Sequence, residues 1–91
     1  MLTYMAMYKS LDTGVHAEVL DFPDVTAFGP TMADARINIL SSLRYAAERR
    51  LREGQVMPLP QPDRMAPDAY SVEVLTVLPY DDSRVEVQTA R

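Results

Sequence analysis

Period-two alternation opens the chain. Leu2–Lys9 ("LTYMAMYK") is rich in β-formers, and Asp12-Thr13-Gly14 after it reads as a hairpin turn. In "VHAEVLDF", Val15, Ala17 and Val19 fall on one face and His16 and Glu18 on the other, the mark of a half-buried strand. Pro23 cannot donate to a ladder, so it ends that strand or marks an edge. "DVTAFG" (Asp24–Gly29) supplies a short third strand. These pieces predict a three-stranded antiparallel meander.

At Gly29-Pro30-Thr31 the period changes. Thr31 is a good N-cap, and Asp34 three residues on favours the positive helix end. The spacing predicts a helix from Met32 to Glu53, closed by Arg49, Arg50 and Arg52 near the negative pole and by Gly54 as the stop. Met32, Ala35, Ile39, Leu43 and Ala46 form one apolar stripe. Leu40, Ala47 and Leu51 widen it to one side, with Ile37 further round. One small sheet needs only the first stripe, so the flank is expected to bury against a second surface.

"GQVMPLPQPDRMAP" holds four prolines and predicts a crossing loop. The last clear strand spans Tyr70–Leu78, where Tyr70, Val72, Val74, Thr76 and Leu78 alternate with Ser71, Glu73, Leu75 and Val77, both sets largely apolar. Apolar residues on both faces suit an interior strand or one shared with a partner. The expected fold class is therefore α+β in the order β-β-β-α-β. It forms one domain over residues 1–79, and residues 80–91 form a tail or a weak extra strand.

Ninety-one residues hold a single core, burying roughly 60–65% of the unfolded surface. The absence of cysteine removes disulfides, thiolate nucleophiles and cysteine metal sites together. No apolar run approaches the ~20 residues of a membrane helix, and the N-terminus lacks the pattern of a secretory leader. A cytoplasmic protein without a membrane role is expected. The net charge of −4 is unevenly spread. Lys9 alone faces Asp12, Glu18, Asp21, Asp24 and Asp34 in the first third, whereas the helix is arginine-rich. An acidic chain is a poor binder of phosphate backbones and a good match for a basic protein.

Reaction chemistry finds few parts. His16 is the only histidine and reads as a strand-face residue. Asp12, Asp21 and Asp24 gather in loops near the meander, where a magnesium-dependent nuclease would have to place its metal. Their spacing matches no calcium loop, and aspartate is common in turns for backbone reasons. The helix arginines lack the interleaved aromatics that stack bases. Gly29 has no glycine companions with which to cradle phosphate. The chain reads as no enzyme, with no cofactor and no metal.

One stretch carries a resemblance. Ala17-Glu18-Val19, Asp21-Phe22-Pro23, Gly29, Thr31 and Ala35 stand in an ungapped register, followed after the helix by "REGQVMPLP". From about Val15 to Pro60 this resembles the HicB antitoxin family. Pro23, Gly29, Thr31 and Ala35 are its fold signature here. Leu20 stands where the family usually has proline, and Asp24-Val25 where Gly-Cys is common. Aspartate at 24 implies a turn with no strict need for positive φ.

The resemblance implies a β-β-β-α-β fold, similar to a truncated RNase H layout without its catalytic carboxylates. It also implies self-association, as a homodimer or higher oligomer, and a small basic HicA-like RNA-cleaving toxin as partner. The toxin would be neutralised by covering its RNA-facing surface. Residues 80–91 are too few for the C-terminal helix-turn-helix or ribbon-helix-helix of many family members, so no direct nucleic-acid binding is expected. The alternative is a solitary HicB-like oligomeric scaffold or small-ligand module. Ile37, Leu40, Leu51, Tyr70, Val72 and Val74 are the expected partner or self-association residues.

Overall fold

The computed structural model describes residues 2–61, 71–81 and 83–89. Five antiparallel strands form one sheet in the order β3-β2-β1-β4-β5: β1 (Leu2–Leu11), β2 (Gly14–Val19), β3 (Thr26–Gly29), β4 (Ser71–Pro79) and β5 (Val85–Thr89). Among the described residues one helix, α1 (Met32–Arg52), lies across one face. The fold is α+β. Its order is β-β-β-α-β-β rather than β-β-β-α-β, because Val85–Thr89 forms a paired strand. Alternation of Val85 and Val87 toward the helix side allows this, and the free edge of β4 provides the template.

The meander follows the hydrophobic pattern. Tyr4, Ala6 and Tyr8 of β1, Val15, Ala17 and Val19 of β2, Leu75 and Val77 of β4, and Val85 of β5 are buried in one cluster. The register aligns them, pairing Tyr8 with Ala17, Ala6 with Val19 and Tyr4 with Leu75. Ala35, Ile39, Leu43 and Ala47 close the cluster from the helix. Met32, assigned to the stripe by spacing, is exposed at the first turn, and Ala47 is fully buried. Ile39 and Leu43 each gain about 1.5–3 kcal/mol from this burial.

Both helix ends are chemically closed. The Thr31 Oγ1 accepts from the Asp34 N–H at 3.2 Å, and its hydroxyl donates to Asp34 Oδ2 at 2.9 Å. At the other end Gln55 N–H reaches the Arg50 carbonyl at 2.8 Å and Gly54 N–H the Leu51 carbonyl at 3.2 Å. That pair of bonds, with Gly54 at φ 67°, is a Schellman stop. Thr31→Ala is expected to lower stability by ~1 kcal/mol and Thr31→Ser to restore most of it, read as the urea midpoint.

The β2–β3 connection departs from expectation. Asp24 has φ 67°, so the turn does require positive φ. Val25 N–H bonds the Phe22 carbonyl at 3.3 Å, placing Pro23 and Asp24 at the two central positions, as in a type II turn. Proline presets the first position, and aspartate tolerates the left-handed second one better than most residues.

The helix also fastens both margins of the sheet. The Asn38 side-chain amide donates to the outward-facing Phe28 carbonyl of β3 at 2.8 Å. On the far side, Glu48 Oε2 accepts from the outward-facing Val85 N–H of β5 at 3.0 Å, which holds the Glu48 carboxyl below its ordinary range. Unpaired strand edges invite a further strand, and these two contacts occupy part of each edge.

Candidate functional site

Strand β2 ends at Val19, and the chain turns over six residues before β3 begins. Two left-handed aspartates, Asp21 and Asp24, bracket buried Phe22 and exposed Pro23. Backbone strain of this kind is held only where surrounding contacts over-determine it. Here they do. Phe22 meets Tyr4 edge-on at 5.4 Å, and the Arg50 guanidinium sits 5.1 Å above its ring. Val19 N–H bonds the Val25 carbonyl at 3.0 Å, and Leu20 N–H bonds Met5 at 2.9 Å.

The loop walls a hollow of about 400 Å³ lined by Glu18, Asp21, Asp24, Thr26, Leu59 and Gln61 among others. Three carboxylates face it, and none of its lining residues is basic. The Gln61 N–H donates to Asp21 Oδ2 at 3.0 Å, so the segment after the helix is tied to the loop. Tyr4 ties it from below. Its hydroxyl donates to the Pro58 carbonyl at 2.6 Å, and burial pushes the phenol up to about 12, so it remains a donor at any ordinary pH. On the other side of the loop a second hollow, about 360 Å³, is lined by Tyr45, Arg49, Arg50 and Glu53. The loop separates an acidic concavity from a mixed one.

A second polar cluster lies at the other end of the sheet. Glu73, on the helix-facing side of β4, takes the Tyr8 hydroxyl at 2.8 Å and the Arg36 guanidinium at 2.6 and 3.2 Å. Burial first, then the Glu73 carboxylate, pushes the Tyr8 phenol well above its ordinary value. This cluster pins the first half of the helix to β1 and β4.

The expected site residues fall on separate surfaces. Gly29 and Ala35 meet at the β3–α1 junction, next to the Thr31 cap, while Pro23 stands at the far end of β3. On the helix flank Ile37 is 62% exposed, whereas Leu40 and Leu51 are half-buried against the chain's own core, Leu40 beside Val85 and Val87 of β5. Val72 and Val74, 52% and 40% exposed, face away from the helix on the other side of the sheet. Tyr70 lies outside the described residues. The sheet thus stands between the two expected contact sets.

Asp12 also parts from its companions. It sits in the β1–β2 turn, at the opposite end of β2 from Asp21 and Asp24, about 17 Å away at ~3.3 Å per residue. The expected gathering of three loop aspartates is therefore two, joined instead by Glu18. Among the described residues no three histidine, cysteine or carboxylate side chains are grouped to hold a metal ion. Among them, too, no helix is long and apolar enough to cross a membrane.

Sequence reasoning passed over Glu18 as a hollow-lining acid, and it passed over Val56 and Leu59 altogether. The available signal was the proline spacing around them. Compared with known proteins, the chain has no match among family models, curated proteins or solved structures.

Proposed function

We propose that this chain is a non-catalytic HicB-like antitoxin, which self-associates and neutralises a small basic HicA-like RNA-cleaving toxin by covering its RNA-facing surface. The observation that carries the reading is the hollow at the β2–β3 loop, which Glu18, Asp21 and Asp24 line together with no basic residue. A protein that binds RNA presents positive charge, and three carboxylates along one hollow complement such a surface and speed the encounter. The ungapped register from Ala17 to Ala35 supports it. Those residues build the strand, strained turn and capped helix that form the hollow and its frame.

A second reading is a solitary HicB-like oligomeric scaffold. Exposed Ile37 on one side of the sheet and exposed Val72 and Val74 on the other favour contacts between chains in either case.

The discriminating experiment looks for a small basic protein encoded beside this gene and asks whether the chain inhibits its RNA cleavage; absence of such a neighbour would itself overturn the antitoxin reading. Stoichiometric loss of cleavage on adding the chain is expected. Undiminished cleavage at a tenfold excess would overturn the antitoxin reading and leave the scaffold. Light scattering should report a dimer or larger; a monomer at micromolar concentration would remove self-association from both.

A further inference from the structure

Val56 and Leu59 are the most exposed large apolar side chains among the described residues, at 81% and 77%. Their neighbours Met57, Pro58 and Pro60 are half-buried. The prolines fix φ and favour the polyproline II conformation, whose three-residue turn brings positions 56 and 59 onto one edge. The opposite edge is fastened to the domain. Pro58 is held through its carbonyl by Tyr4, Val56 through its carbonyl by the Arg50 guanidinium at 2.9 Å, and Gln61 through its N–H by Asp21.

These hydrogen bonds all use backbone groups of the segment, Met57 packs its side chain against the core, and neither Val56 nor Leu59 contributes a side chain to the fastening. A free apolar segment would turn such side chains inward, because leaving them in water is unfavourable. Here the backbone is held so that they cannot turn. The ordering entropy that a docking peptide normally loses has already been lost in folding.

We propose that residues 55–61 are a preformed docking strap for a basic protein. The partner's apolar groove takes Val56 and Leu59, and its basic rim meets Glu18, Asp21 and Asp24. The proposal rests on the antitoxin reading and deepens it, since it names the surface on which the toxin closes. Leu59 itself lines the acidic hollow, so this anchor and the carboxylates share one surface, while Val56 stands on the Arg50 side of the strap. Charge selects the occupant. A second copy docked symmetrically would set this patch against itself, carboxylates facing carboxylates. A nucleic acid would bring phosphates to the same acids.

The test compares three versions of this 91-residue chain by titration against a small basic protein encoded beside its gene, and absence of any such protein would overturn the proposal together with the antitoxin reading. Val56→Ser with Leu59→Ser should weaken binding about 100-fold, as removal of two anchors does, with thermal unfolding unchanged because both side chains are solvent-exposed. Glu18→Gln with Asp24→Asn should slow association and flatten its dependence on salt. Wild-type affinity in the double serine variant would overturn the strap while leaving the antitoxin reading intact. Failure of the unaltered chain to bind would overturn both. Loss of self-association rather than toxin binding in the serine variant would assign the strap to a second copy and overturn the proposal as well.

Discussion

Gly29→Ala is expected to destabilise the domain by about 3 kcal/mol, enough to lower its melting temperature by roughly 15 °C. The reason is contact distance. A Cβ on Gly29 would lie 2.4 Å from the Ala35 amide nitrogen and 2.7 Å from the Asp34 carbonyl carbon, both backbone atoms that cannot rotate away. Strand β3 and the first helical turn would have to separate, and Gly14, whose own missing Cβ lets it approach the Gly29 carbonyl, would lose its fit too. Gly54→Ala is the control. Its site is open, so only the positive φ opposes the methyl, at about 1 kcal/mol. Equal urea midpoints for the two variants would show that close approach is not what position 29 requires.

Leu43→Ala should cost about 2–5 kcal/mol. Leu43 is fully buried at the centre of the helix stripe, between Ile39 and Ala47, over the core cluster. The core cluster it belongs to includes alanines at 6 and 17, already at minimal size, which cannot expand to fill a void. Collapse onto the cavity would need the helix to sink toward the sheet, and the Asn38, Arg36 and Glu48 contacts hold it at its present height. The upper part of the range is therefore expected, read from chemical denaturation at constant m-value. A loss below 1 kcal/mol would mean that the core repacks around the deletion.

Much of the fold is legible in the chain because local signals and tertiary needs coincide. The alternation of Val15, Ala17 and Val19 survives because β2 is buried on one face only. The helix limits survive because Thr31, Asp34 and Gly54 supply the capping bonds that the ends lack. Strand β5 is less legible. Five residues carry too little periodicity to declare a strand, and its existence depends on an edge offered by β4, a fact of tertiary pairing. The turn at Asp24 is misread for a related reason. Aspartate in place of glycine argues against positive φ on intrinsic preference, but Pro23 and the Val19–Val25 bond impose the geometry anyway. The candidate surface is least visible of all. Glu18, Asp24 and Leu59 are up to 41 positions apart, and closure of the post-helix segment through Tyr4, Arg50 and Asp21 brings Leu59 to the two acids.

The two hooks from the helix to the sheet, Asn38 on one margin and Glu48 on the other, tie solubility to helicity. Both depend on the same rod keeping its phase, since they sit ten residues apart on opposite flanks. If the rod unwinds or lifts, the two borders become bare together, and each then offers an unfilled row of amides to any neighbouring chain. Loss of helix and onset of clumping on heating should therefore coincide rather than follow in sequence.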